Sequence, residues 1–543
     1  MSFRIKTLLV SLAPLLSVAA LLAQNADPRL IDAVKRGDEE SLRSLLKQGA
    51  NVNQKQPDGA TALAWAVHRD DVKLADLLIR AGADVNVVND YRVAPLSIAC
   101  DNGNSAMVEF LLAAKANPNT ATWTGETALM TCAHRGNLAA VQSLLARKAN
   151  VNAAEGRHGQ TALMWAVADA HPEIARALIE HGADLRAETK REQAWAFATY
   201  DDGTQEMPSG GYTALHFAVR HDAVEPARVL LDAGANVNQK AADGMTPLLL
   251  AEANGYEQLA IFLIEKGADP KSADPNGVTA LHYSIRQGLG LVTAGGRGAG
   301  PARNMRDLVK VILDRGADPN ARLSKPPART RLVGAPRLEP GGATPLLLAA
   351  ASRDLSLMKM LLAAGANPNL TTADNTNALM LAVGFASPAR VSKEQEKNIL
   401  EIARLLVDLG NDVNAINTND ERMINGKTAV HAATYLGMDS VIQFLAEKGA
   451  RVTVPDRCGE TPLNIALGDP ALLRYSTERI RGGYKSTADL LRKLGGDVPV
   501  GKPEVPCVLL AGIHARFSSP SKKINYKPDG AEAQPAAKPQ EAN

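Results

Sequence analysis

Apolar and small residues return along this chain in one short phrase. TALAWAV opens at residue 61 and TALMWAV at 161, and the same pattern stands as APLSIAC at 94, TALMTCA at 127, TALHFAV at 213 and TPLLLAE at 246. It continues as TALHYSI at 279, TPLLLAA at 344, NALMLAV at 377, TAVHAAT at 428 and TPLNIAL at 461. The starts are 33, 33, 34, 52, 33, 33, 65, 33, 51 and 33 residues apart, a fixed period broken by insertions. One more copy, Leu30-Ile31-Asp32-Ala33-Val34, lies 33 residues before Leu63-Ala64-Trp65-Ala66-Val67. A catalytic motif has no use for such repetition, whereas a stacked array does.

Each copy reads as a helix start. Thr61, Thr246 or Thr461 supplies a hydroxyl for the free amides of the first turn, and Pro247, Pro345 and Pro462 follow where a missing amide costs nothing. A second helix comes next, with apolar positions such as Val72, Ala75, Leu78 and Ile79 matched by Val224, Ala227, Leu230 and Leu231. Glycine ends it at Gly82, Gly182, Gly234, Gly267, Gly316, Gly365 and Gly449. Turn pairs such as Asp58-Gly59, Asp243-Gly244 and Asn276-Gly277 then suit a tight hairpin tip. Neither helix is expected to exceed about ten residues, and isolated helices below ~12–15 residues are marginal in water, so the core must come from stacking. Small residues at Ala66, Ala99, Ala166, Ala218, Ala251, Ala349 and Ala382 let neighbouring helices approach closely. The predicted architecture is an all-α solenoid of about twelve helix-turn-helix-hairpin units with loop insertions. A core made of Leu, Ala, Val and Ile also fits the composition, 45% hydrophobic but only 4% aromatic.

The pattern resembles the ankyrin repeat family, whose 33-residue period and T-P-L-H-x-A signature recur here in phase with helix cap, terminating glycine and hairpin tip. The resemblance covers residues 27 to about 497. His216, His282 and His431 occupy the family's histidine position, for which the resemblance implies hydrogen bonding around the helix start, not catalysis. It also implies binding of other proteins through the hairpin tips and the concave face of the inner helices. Lys115 and Lys148 depart from the pattern by replacing the terminating glycine, at roughly 1 kcal/mol each if the left-handed backbone is kept.

At the N-terminus Arg4 and Lys6 precede an apolar run that meets no charge until Asp27. This reads as a secretory signal peptide over residues 1–23, cut after Ala23 to leave Gln24 first and to place the protein outside the cytoplasm, in the periplasm of an exported bacterial-type protein. The alternative is an N-terminal membrane anchor, so membrane association stays open. Sixty Lys and Arg against 58 Asp and Glu give +2, and removal of Arg4 and Lys6 leaves zero, so no global field steers the chain to nucleic acid. Export permits disulfides. Cys100 and Cys132 fall within the repeated phrase and are expected as buried packing groups, while Cys458 and Cys507, in a turn and in the tail, form a candidate bridge.

Sequence signs of an enzyme are few. Gly426-Lys427-Thr428 looks like the end of a phosphate-binding loop, but the glycine such a loop needs at 421 is Glu421, and Asn425-Gly426 is a hairpin tip. The glycine-rich run 295–300 follows no strand. HExxH, GxSxG, CxxC and CxxCH are all missing from the sequence. No catalytic residue, metal ligand or cofactor is expected.

The insertions carry more information, because stacking does not need them. Residues 190–210, 326–342 and 417–426 lengthen hairpin tips, whereas 288–305, 386–397 and 468–485 lengthen the link between paired helices. Trp195, Phe197 and Tyr200 put three of the chain's 21 aromatic residues into the first insertion and make it the leading candidate for partner contact. A local hairpin tucked against the neighbouring tip is the competing reading. Residues 286–342 hold eleven Lys or Arg against four carboxylates, with Arg297, Arg303, Arg329, Arg331 and Arg337 in the loops, and suit an acidic partner surface or anionic headgroups. Two solvated arginine-rich loops would look the same. The stretch has no aromatic residue, which argues against stacking on nucleic acid.

The ends are expected to act as caps. Residues 24–56 form a capping repeat in which Asp32, Arg29 and Glu39-Glu40 make a polar outer face. Beyond the array at 57–497, residues 498–526 bring Val505, Val508, Leu509, Leu510, Ile513 and Phe517 to fold back over the last repeat, and 527–543 read as a disordered tail. These features point to a non-catalytic scaffold for protein partners, with an accessory or inhibitory subunit of an exported enzyme as the alternative and an unrecognised hydrolase behind it.

Overall fold

A computed structural model describes residues 28–197, 204–285, 304–324, 341–385, 391–418, 426–456, 459–467 and 484–496. The expected all-α solenoid is what forms. Short inner helices, among them Ala62–His68, Pro95–Asp101, Ala128–His134, Ala162–Ala168 and Ala214–Arg220, each pair with a nine-residue outer helix such as Val72–Arg80, Ser105–Ala113, Leu138–Ala146, Pro172–Glu180 or Val224–Asp232. Inner helices stack on inner helices and outer on outer along the array.

The helix starts are set by the side chains the sequence marks. The Thr61 hydroxyl accepts from the Ala64 amide at 3.3 Å and Thr246 from Leu249 at 3.3 Å. On the outer helices Asp71 takes the Leu74 amide at 3.0 Å and Asn104 the Met107 amide at 3.0 Å. Each cap satisfies one amide that the first turn leaves without a partner. At the helix ends Lys115 and Lys148 do keep the left-handed backbone, with φ of 70° and 62°.

Burial follows the repeat. The seventh position of the phrase, held by Val67, Cys100, Ala133, Val167, Val219, Glu252, Ile285, Ala350, Val383 and Thr434, is fully buried in every repeat that has a successor. Leu467 holds it in the last described repeat and is 45% exposed. The contrast shows that each layer is buried by the next, so the core is continuous along the array. Val72, expected in an apolar row, instead lies at the surface with 36% exposure.

Two further features depart from the sequence expectation, and a third gives an insertion the hairpin form already weighed for it. Cys100 and Cys132 are not free packing groups but form a disulfide between adjacent inner helices, their Cα atoms 4.7 Å apart. They stand 32 rather than 33 residues apart, and the offset of one position lets the two side chains meet across the helix contact. Next, one outer helix runs for 16 residues, Lys393–Asp408, because the insertion 386–397 supplies its first turn. Ser392 caps it, with Gln395 reaching back to the Ser392 amide at 2.8 Å, and Glu396 accepts from the Ser440 amide of the next outer helix at 3.0 Å. Finally, the insertion 190–210 is a two-stranded antiparallel ribbon, Glu192–Phe197 against Thr204–Ser209. Gly210 has φ of 84°, and a Cβ there would fall on the Lys190 carbonyl oxygen, so this turn needs glycine.

Candidate functional site

The hairpin tips form a ladder down one edge of the array. The Asp90 amide donates to the Asp58 carbonyl at 3.0 Å, Trp123 to Tyr91 at 3.2 Å, Gly156 to Thr124 at 2.6 Å and Lys190 to His158 at 2.8 Å. The ladder goes on with Ala242 to Gly210 at 3.0 Å, Ser324 to Asn276 at 3.0 Å, Ala373 to Gly341 at 2.7 Å and Thr418 to Asp374 at 2.8 Å. With its amides paired, the ladder offers side chains to a partner.

Two of those side chains are large and exposed. Tyr91 and Trp123 sit on consecutive tips, their backbones joined by a ladder bond, and are 61% and 69% exposed. Sequence reasoning passed over them, since a single aromatic residue in each turn gives no cluster along the chain. Two residues of the Tyr91 tip, Asn89 and Val93, line an open cavity of about 180 Å³ together with Asp58 and Gly59 of the preceding tip and with Trp65, His68 and Ile98 of the inner helices, whereas Tyr91 itself is not in the lining. Since a 150 Å³ apolar cavity accepts benzene, this one has room for a single ring-sized side chain.

The inner-helix face continues the aromatic character. Lys35 Nζ lies 4.4 Å from the Trp65 ring centre, His68 meets that ring edge-on at 5.6 Å, and Trp65 Nε1 donates to Gln56 at 2.9 Å. Further along, Trp165 meets His134 edge-on at 5.2 Å, and His134 Nδ1 is 2.5 Å from an Asp169 carboxylate oxygen. All four tryptophans of the chain, Trp65, Trp123, Trp165 and Trp195, fall in this N-terminal stretch. Trp195 and Phe197 take alternate positions in the first strand of the ribbon, opposite Glu206 and Thr204, and Tyr200 lies outside the described residues. Arg297, Arg303, Arg329, Arg331 and Arg337 also lie outside them, as do Cys458 and Cys507. Of the described cations in the basic stretch, Arg306 is bound through two nitrogens to Asp354, at 2.8 and 3.0 Å, so it contributes to inter-repeat contact.

The polar groups below this surface join repeats together. In His216, His282 and His431 the Nδ1 atom accepts from the backbone amide of the Thr three residues earlier. Nε2 donates to a carbonyl of the following repeat: Met245 at 3.3 Å, Ala343 at 3.3 Å and Glu460 at 3.2 Å respectively. Burial holds His216 below its ordinary pKa and pushes His282 and His431 down to about 4, with the nearby Lys427 charge adding to the effect on His431. Lys427, flagged by the phosphate-loop comparison, is buried and donates to Asp456 and to Tyr435, each at 2.7 Å. Burial alone would lower its pKa, but Tyr435 and Asp456 together raise it. Glu155 is held by the amides of Arg157, His158 and Gln160, whose combined effect outweighs burial and lowers its pKa.

Comparison with known proteins places the array. A family model described as ankyrin repeats in three copies matches residues 30–122, 114–189, 234–323 and 390–475, and a single ankyrin repeat model matches 210–242 and 341–373. The chain belongs to the ankyrin repeat family. It is 28% identical over 255 residues to human transient receptor potential cation channel subfamily A member 1, a match that covers 47% of this chain and 19% of that protein. It is 24% identical over 341 residues to the Arabidopsis thaliana E3 ubiquitin-protein ligase KEG, covering 56% and 18%. To human ankyrin repeat and SOCS box protein 16 it is 32% identical over 177 residues, covering 30% and 37%. The matches thus span less than two fifths of each of these relatives. Ankyrin repeats generally mediate binding to other proteins.

Proposed function

We propose that this protein is a non-catalytic scaffold that works outside the cytoplasm and grips a protein partner through the tips and inner-helix face of its N-terminal repeats. The observation that carries the reading is the exposed pair Tyr91 and Trp123 on consecutive, hydrogen-bonded tips. Aromatic anchors of this kind dominate interface energetics, and each true hot spot is worth ~2 kcal/mol or more, about thirtyfold in affinity. The ribbon bearing Trp195 and Phe197 extends the same edge through the Lys190 bond to His158. Export is supported by the basic and apolar leader at 1–23 and by the Cys100–Cys132 disulfide, a bond that persists in oxidising compartments.

The test is affinity capture from the exported fraction with the intact protein, with Tyr91→Ala plus Trp123→Ala, and with Trp195→Ala plus Phe197→Ala. Capture is expected to fall at least tenfold for the first pair with helical content and melting nearly unchanged. Unchanged capture by both variants would refute the surface. An intact Met1 species found in the cytosol would refute the location, and one found in the membrane would favour the anchor. A single enzyme recovered one to one would recast the protein as its accessory subunit.

A further inference from the structure

We propose that the Cys100–Cys132 disulfide is a clamp that fixes the Tyr91–Trp123 pair in its binding arrangement and is closed during folding in an oxidising compartment. The assignment of the pair to binding rests on the function proposed above; the mechanical role of the bond does not. Cys100 lies on the inner helix Pro95–Asp101, which starts directly after the tip carrying Tyr91, and Cys132 on Ala128–His134, directly after the tip carrying Trp123. The disulfide therefore joins the two repeats that present the exposed rings. Between these tips the ladder bond, Trp123 amide to Tyr91 carbonyl, is 3.2 Å, the longest of the eight rungs among the described residues.

Packing alone does not call for sulfur here. The position of Cys100 is held by Val67, Val167 and Val219 in other repeats, and that of Cys132 by Ala66, Ala99, Ala166 and Ala218, all fully buried. A crosslink between neighbouring layers acts locally in an array where each repeat touches only its neighbours. It removes open arrangements in which the two tips separate.

Both cysteines are fully buried, so the bond forms before the two layers close. One thiolate attacks a sulfur of an oxidant disulfide, whether that of an oxidised oxidoreductase or that of a small molecule, and expels one oxidant thiolate. The second cysteine thiolate then attacks the mixed disulfide at the first cysteine's sulfur and expels the other. Two thiol protons and two electrons leave the protein, and the oxidant ends as a dithiol or two thiols. Once the layers stack, external thiols are shut out.

The experiment compares full-length protein from the exported fraction, the same protein refolded with its thiols reduced, and Cys100→Val plus Cys132→Ala, which borrows residues other repeats use. Alkylation and peptide mapping should find Cys100 and Cys132 linked in the exported protein. Amide exchange at Trp123 should be at least tenfold faster in the other two forms, while the Ala242 amide, which donates to Gly210 in the same ladder, stays unchanged. Free thiols at 100 and 132, or Trp123 exchange equal in all three forms, would overturn the clamp. So would exchange rising equally at Ala242, because the bond would then hold the whole array. If Trp123→Ala leaves capture intact while the exchange result holds, the binding assignment fails and the clamp stands.

Discussion

Acid should loosen the array at its buried histidines, and His282 allows the size to be worked out. Its side chain is fully buried. Nδ1 accepts from the Thr279 amide at 3.3 Å and lies 2.8 Å from the Thr279 hydroxyl, while Nε2 donates to Ala343 in the next repeat. A proton on Nδ1 would face the Thr279 amide hydrogen, so the site accepts only the neutral ring. With a folded pKa of about 4 against an ordinary 6.5, the unfolded chain binds more protons between those values. Stability is therefore fully present above pH 6.5 and is lost as the pH falls toward 4. At about pH 4.5 the loss from this one group is roughly 2.5 kcal/mol, using ~1.36 kcal/mol per unit. Glu252 acts in the opposite sense. Burial raises its pKa well above 4.5, so it costs stability as the pH climbs from 4.5 toward its folded value.

The assay must therefore be a difference. Local amide exchange over Ala280–Ser284 and Arg306–Asp314, the two helices of this repeat, is compared at neutral pH and at about pH 4.5 in the intact protein and in His282→Gln. Exchange rates are corrected for the intrinsic effect of pH. Glutamine at this position can still reach back to the Thr279 amide as in a capping box, and it does not titrate. The intact protein should lose roughly 2.5 kcal/mol more local stability than the variant across that interval. Equal losses in the two proteins, or full protection of the intact repeat at the lower pH, would refute the argument. Global melting is a poorer readout, because a repeat array need not unfold in one step.

Two other outcomes are expected. Lys115→Gly and Lys148→Gly should each stabilise their repeats by roughly 1 kcal/mol in urea unfolding, because φ of 70° and 62° suits glycine and strains a side chain; unchanged or lower midpoints would contradict this. Lys427→Met should cost about 3–5 kcal/mol, since it leaves the fully buried Asp456 carboxylate without its ammonium partner, and a loss below about 1 kcal/mol in urea unfolding would show that the ion pair adds little.

Much of the protein was legible in its letters because the information is local and repeated. A Thr at the head of the phrase can cap the amide three residues on, as Thr61 and Thr246 do, and a 33-residue period implies that each layer is buried by the next. The histidine role could be stated for the same reason, since Thr213 and His216 lie within one turn. The long helix Lys393–Asp408 was missed because its first turn belongs to an insertion, where no period guides the reading.

The sequence by itself determined the helix pairs, the stacking and the family, all of which follow from patterns along the chain. Tertiary structure alone decided which side chains meet or stay bare across layers. Cys100 and Cys132 read as two apolar positions until the one-residue offset between neighbouring helices brought their sulfurs together. Tyr91 and Trp123, 32 residues apart in sequence, became one surface only when the tip ladder set them side by side. The physical reason is that exposure and cross-layer contact depend on the packing of one repeat against the next, a distance that no single repeat encodes.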